Sequence, residues 1–168
     1  MKRTKILIFL VLLAGLAGCT AADKKSTDGR DADRDQRQSA DVQGAYDIKS
    51  LDDPKSPLSR RVIYFDLDSA AISDEDRELI AIHAEFLTSH PEVSAVLEGH
   101  ADERGTREYN IALGERRAKA IKQLMSVQGV GQTQAQVISF GEERPVAQEH
   151  NEDSWRLNRR VEILYSGY

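Results

Sequence analysis

The densest run of side chains able to do chemistry is Gly99-His100-Ala101-Asp102-Glu103-Arg104-Gly105-Thr106-Arg107-Glu108-Tyr109-Asn110. It gathers carboxylates, guanidinium groups, a hydroxyl and an amide, the donors and acceptors needed to hold a polar ligand. Apolar patterning on either side places this run on a loop that leaves a strand and feeds a helix, a common position for ligand sites. On that helix Asn110, Leu113 and Arg117 fall at i, i+3 and i+7 and share one stripe. The stripe is expected to point away from a core side made by Ile111, Ala118 and Ile121. An aliphatic edge at Leu113, flanked by an amide and a guanidinium, suits a small amphipathic ligand. Blander roles compete: Asp102 could cap the following helix, and Arg117 could form a surface ion pair worth ~0–1 kcal/mol.

Catalysis finds little support. His100 with Asp102 and Glu103 suggests a metal site, but a catalytic metal usually takes three spaced protein ligands, and His83, His90 and His150 supply no such spacing. There is no Gly-x-Ser-x-Gly elbow and no phosphate loop, and the single cysteine, Cys19, has no histidine set beside it. Carboxylates are plentiful, yet none pairs with another at a separation the sequence can fix. The reading is a binding module with no catalytic residue, no metal and no cofactor.

Several elements must position the polar run. Val62-Ile63-Tyr64-Phe65 is a short β-favouring stretch. Ser73 can cap a helix whose first turn carries Asp74, Glu75 and Asp76, and whose apolar face holds Leu79, Ile82, Ala84, Phe86 and Leu87 until Pro91 stops it. Val93 to Glu98 reads as a second strand, Thr106 to Ser126 as a long helix ended by Gly129 and Gly131, and Val137 to Phe140 as a third strand. A helical turn is expected around Asp153 to Asn158, then a last strand over Val161 to Tyr165. Strands alternating with helices in a βαβαββ order imply an α+β domain, a mixed sheet with helices packed on one face.

The amino-terminal third is built differently. Lys2, Arg3 and Lys5 precede the unbroken apolar run Ile6–Leu13 and small residues, so residues 1–18 read as a secretory signal, the run being shorter than the ~20 residues a spanning helix needs. Leu16-Ala17-Gly18-Cys19 resembles a lipobox, which implies lipidation of Cys19 and cleavage before it. Thr20, rather than aspartate, then favours the outer membrane. Cleavage removes three cations and takes the formal charge from −5 to −8, which argues against nucleic acid as a partner. Residues 19–57 read as the lipidated end and a flexible tether, since 26–39 contain no large apolar side chain. About 38 such residues span roughly 30–37 Å root-mean-square. Tyr46, Ile48 and Leu51 are expected to be mostly solvated. The folded domain is expected over 58–168.

Five blocks in order carry a resemblance. They are Tyr64-Phe65-Asp66-Leu67-Asp68-Ser69, then Glu98 to Thr106, Glu108 to Ala118, Ser139-Phe140-Gly141-Glu142-Glu143-x-Pro145, and Asn158-Arg159-Arg160-Val161-Glu162. Together they resemble the OmpA-like peptidoglycan-binding domain family, with the lipobox and tether matching its lipid-anchored, peptidoglycan-associated members. The resemblance covers residues 60–165. It implies noncovalent binding of meso-diaminopimelate in the uncrosslinked peptide stem, Asp102 accepting from the ligand's ammonium group and Arg117 clamping a carboxylate. Asp68, Thr106, Asn110 and Leu113 follow as secondary contacts. One of Arg159 and Arg160 should brace the site and the other be solvated; Arg104, Arg107 and Arg116 should form a solvated or partner-facing surface. The resemblance further implies an outer-membrane anchor through Cys19, a role in constriction during division, and TolB, with TolA beside it, as partners. An envelope lipoprotein lacking a Tol partner is the alternative, and a wall hydrolase a lesser one.

Overall fold

A computed structural model describes residues 46–167. The signal, Cys19 and most of the tether lie outside the described residues. Four strands form one sheet: β1 (Val62–Tyr64), β2 (Ser94–His100), β3 (Ala135–Gly141) and β4 (Arg160–Ser166). Three helices join them: α1 (Asp74–Ser89), α2 (Arg107–Val127) and α3 (Glu152–Asn158). The sheet order is β1-β4-β2-β3, with β4 antiparallel to both its neighbours and β2 parallel to β3. The mixed sheet and α+β class match the expectation. The helical turn before β4 is a capped helix, so the order is βαβαβαβ.

Local chemistry accounts for the helix starts. The Ser73 hydroxyl accepts from the Asp76 N–H at 3.1 Å, and the three acids of the first turn complement the helix dipole. Thr106 caps α2 by accepting from the Tyr109 N–H at 3.2 Å, and Asn151 caps α3 through the Ser154 N–H at 2.9 Å. One cap comes from far away in sequence: the Gln134 amide donates to the Leu87, His90 and Val93 carbonyls, satisfying the end of α1 and the turn after it.

Alternation along the strands separates two faces. Ala95, Leu97, Val161 and Ile163 are fully buried against Ile80, Leu87, Ala118, Ile121 and Met125. The opposite face carries Glu98, Glu162, Leu164 and Ile138, the first two paired across β2 and β4. That face also holds Arg160, which is buried rather than solvated: it donates to Glu162 at 2.6 Å and to the Arg144 carbonyl at 3.3 Å.

Two glycines set how closely α2 lies on the sheet. A Cβ on Gly99 would fall far inside contact distance of the Gly114 carbonyl, and one on Gly114 would sit 2.5 Å from Ser139 Oγ. Only backbone fits at this crossing. The end of β2 and the first turns of α2 are thereby brought together, which is what the polar loop between them requires.

The folded body starts before residue 58. Short 3-10 turns occupy Ile48–Leu51 and Pro57–Ser59, and Leu51 and Leu58 belong to the core. Arg61 donates to the Leu51 carbonyl, and His90 Nε2 lies 3.0 Å from the Tyr46 carbonyl. The solvated reading of residues 46–57 is therefore corrected: burying Leu51 contributes about 1.5–3 kcal/mol, enough to hold a short segment that two 3-10 turns already bend toward the domain.

Candidate functional site

Asp68, Asp102, Asn110, Leu113 and Arg117 all line one hollow beneath the β2–α2 loop. Leu67, Arg104 and Tyr109 complete its rim. The hollow measures about 30 Å3, room for a water or two and for nothing larger. A groove of about 410 Å3 lies elsewhere, along Tyr64, Phe65, Ile72 and Leu157, but Asp102 and Arg117 do not line it. The candidate site is the hollow where charged groups converge, not this roomier groove.

Asp102 is 4% exposed and carries two guanidinium partners. Arg104 reaches it through Nε at 3.1 Å and Nη2 at 2.8 Å, and the Arg104 backbone N–H donates at 3.0 Å. Arg159 donates to the same carboxylate at 3.2 Å. Burial alone would raise the Asp102 carboxyl, but the hydrogen bonds from Arg104 and Arg159 outweigh it and hold the group below the usual range. Helix capping, the competing role for Asp102, belongs to Thr106 instead. The Thr106 hydroxyl accepts in that cap, and the residue does not line the hollow.

Arg117 has no exposed surface. Its Nε donates to the Ser69 carbonyl at 2.8 Å, Nη1 to His100 at 2.8 Å and Nη2 to Asp66 at 3.0 Å. The guanidinium therefore ties the loop after β1 to the end of β2. Burial, with repulsion from Arg159, lowers it to about 10, still charged at neutral pH. The Asn110/Leu113/Arg117 stripe does not point away from the core side as expected. All three are buried, in line with Gly114, Ala118 and Ile121, because the loops after β1 and β2 fold over them. Asn110 donates its amide to Glu142, and the Tyr109 hydroxyl donates to Asp68 across the rim. Asp68 has φ +52°, a left-handed conformation that aspartate tolerates better than most residues.

Arg159, not Arg160, braces the site, bonding Asp102, the Phe65 carbonyl at 3.0 Å and Glu152 at 2.6 Å. Arg104 is the residue that sequence reasoning missed, because its partner is only two positions away, inside a turn. A carboxylate followed by arginine at i+2 in a glycine-ended loop was the available signal. His100 stands apart from this chemistry: its ring stacks on Phe140 on the open face of the sheet. Burial beside Arg160 lowers it to about 4. Among the described residues no group of three or more histidine, cysteine or acidic side chains is arranged to hold a metal, and no helix is long and apolar enough to cross a membrane.

Known proteins share this fold. A family model described as the OmpA family matches residues 64–159. A peptidoglycan-associated lipoprotein of Pseudomonas aeruginosa is 48% identical over 120 residues, 71% of this chain and 70% of its own length. One from Pseudomonas putida is 38% identical over 164 residues, 97% of each chain. The crystal structure of the peptidoglycan-associated lipoprotein from Burkholderia pseudomallei superposes with a TM-score of 0.68 at 46% identity, covering 70% of this chain and 99% of that one. The C-terminal domain of Helicobacter pylori MotB shares the fold, with a TM-score of 0.58 at 24% identity over 62% of this chain and 83% of its own.

Proposed function

The chain belongs to the OmpA family, and on that footing we propose that it is a peptidoglycan-binding lipoprotein of the bacterial envelope, held in the outer membrane by lipid on Cys19 and gripping the wall without catalysing a reaction. The observation that carries this reading is the convergence of Asp68, Asp102, Asn110, Leu113 and Arg117 on one hollow.

The buried charges there are not all paired. Arg159 meets the carboxylates of Asp102 and Glu152, whereas Arg117 donates to the carbonyls of Ser69, His100 and Asp66. An uncompensated buried cation is costly, so the hollow favours a ligand carboxylate. Asp102 and Asp68 favour an ammonium group. A free amino-acid end carries both charges, as the side-chain end of meso-diaminopimelate does; a lysine side chain offers only the ammonium. Three of the five Arg117 N–H groups are committed to loop carbonyls, which leaves two for a carboxylate. Arg117 thus both shapes the hollow and charges its floor.

The family resemblance extends the proposal to the Tol-Pal system, with TolB and TolA as partners and a role in constriction during division. Each grip on the wall can be weak, since many tethered copies act together.

Sedimentation of the full-length protein with purified peptidoglycan tests the binding. Free meso-diaminopimelate should release the protein, and lysine blocked at both its α-amino and α-carboxyl groups should not; indifference to both overturns the site. Capture of TolB from membranes separates a Tol-linked protein from an envelope lipoprotein without that partner. Cys19→Ser should move the protein to the soluble periplasmic fraction.

A further inference from the structure

The hollow already holds a cation of its own. Asp102 is met by two arginines of opposite character. Arg159 has 5% of its side chain exposed and is fixed by three acceptors: Asp102, Phe65 and Glu152. Arg104 has 32% exposed and reaches over from the rim, placing Nε and Nη2 on the two carboxylate oxygens. A hollow of about 30 Å3 remains, too small for an amino-acid end. A ligand ammonium group that is to reach Asp102 needs the place where the Arg104 head now lies.

Resting on the binding reading above, we infer that Arg104 is a latch: its guanidinium occupies the ligand's ammonium position on Asp102, and binding proceeds by exchange of one cation for the other. Three features make this exchange feasible. The Asp102 charge is never left bare, because Arg159 stays in place. The departing guanidinium has a second seat already touching it, with Glu152 3.5 Å from Nη1 and the Trp155 ring 4.1 Å from the guanidinium carbon. The turn itself survives the exchange, since the Arg104 backbone N–H donates to Asp102 independently of the side chain.

The latch also sets specificity. A ligand with a carboxylate but no amine gains nothing from Asp102 and must leave Arg104 seated. A ligand with the amine trades an equal charge and opens the hollow. In population terms the latched form lowers apparent affinity by the fraction of time the hollow is open.

Trp155 is the only tryptophan of the chain and lies against the Arg104 guanidinium, so its fluorescence reports the latch directly. The test titrates full-length protein in detergent with a disaccharide-tetrapeptide bearing diaminopimelate, following Trp155 emission and, in parallel, heat of binding. The wild-type protein should bind with a saturable change in emission. Arg104→Ala should bind about tenfold tighter, with that change lost, and Arg104→Lys should fall between. Affinity of Arg104→Ala equal to or below wild type, or wild-type binding without any change in Trp155 emission, overturns the latch. The binding reading fails separately: Asp102→Asn binding as well as wild type, or no heat with wild type and Arg104→Ala alike, removes the site itself.

Discussion

Arg159 and Asp102 form a buried ion pair, 3.2 Å apart with 5% and 4% of their side chains exposed, joining the start of β4 to the loop that feeds α2. The pair is the strut between the last element of the chain and the loop that lines the hollow. Removing Arg159 should therefore harm the fold as well as the site. Arg159→Ala should lose about 3 kcal/mol in urea unfolding, near the low end for a broken buried pair because Arg104 still meets Asp102. A loss within error would show that Arg104 alone suffices.

Arg117→Ala should be unstable before it is inactive. It leaves three carbonyls without their donor and empties a large buried volume, a cost of at least ~3 kcal/mol. Peptidoglycan sedimentation must therefore be compared with the melting temperature of the same variant. Arg117→Lys keeps the charge but cannot reach three acceptors at once. It should recover part of the stability and little of the wall binding.

Gly99→Ala should fail on steric grounds, since its Cβ meets the backbone of Gly114, which cannot swing aside as a side chain would. Expected is a loss of about 2–3 kcal/mol and poor yield of folded protein; near-neutral behaviour would mean that α2 rides away from β2 easily.

Acid should loosen the domain above the carboxylate range. His83 is sealed between the Arg60 carbonyl, at 2.9 Å from Nε2, and the Tyr165 hydroxyl, at 2.6 Å from Nδ1. Nε2 must donate to the carbonyl, and in the neutral ring Nδ1 then accepts from the Tyr165 hydroxyl. Burial lowers it to about 4, and His100 likewise. Unfolded histidines bind protons near 6.5, so between pH 6.5 and about 4 the unfolded chain takes up protons that the folded one refuses, and stability falls with pH. For His83 alone the displacement corresponds to about 3 kcal/mol by pH 4. His90 is raised by its hydrogen bond to the Tyr46 carbonyl, which outweighs its burial. Its contribution is whole below 6.5 and fades as pH rises through its folded value. Urea midpoints at pH 7.0, 5.5 and 4.5 check this; a flat profile would mean that the buried rings take up protons as readily in the fold as in the unfolded chain.

A chain beginning at residue 58 should melt lower than one beginning at 46. Leu51→Ala should reproduce most of the difference, about 2–3 kcal/mol. Equal melting temperatures would return residues 46–57 to the tether.

The strands, the two long helices and the loop holding Asp102 were all legible, because period, caps and breakers agree there. The location of Leu51 in the core was not: one leucine among polar residues and prolines gives no period, and its burial depends on a hollow made by elements far along the chain. Arg117 is expected at the site from the resemblance, but its burial was not legible. Helical spacing tells which residues share a stripe, not whether a loop closes over it. The three carbonyls it holds, at 66, 69 and 100, carry no sequence signature, since every residue has one. Arg104 and Arg160 were read as solvent-facing because arginine usually is. Both were displaced from that default by a carboxylate close by in the chain, Asp102 and Glu162.

The strand order has a consequence for how the protein is made. β4 lies between β1 and β2, so the first strand has no neighbour until the final residues arrive. A chain made amino-terminus first cannot finish its sheet before β4 exists. Helices can form earlier, but the hydrogen-bonded whole closes only with that strand. The topology thus leaves β1 waiting through most of synthesis, and makes β4 the piece that locks the body.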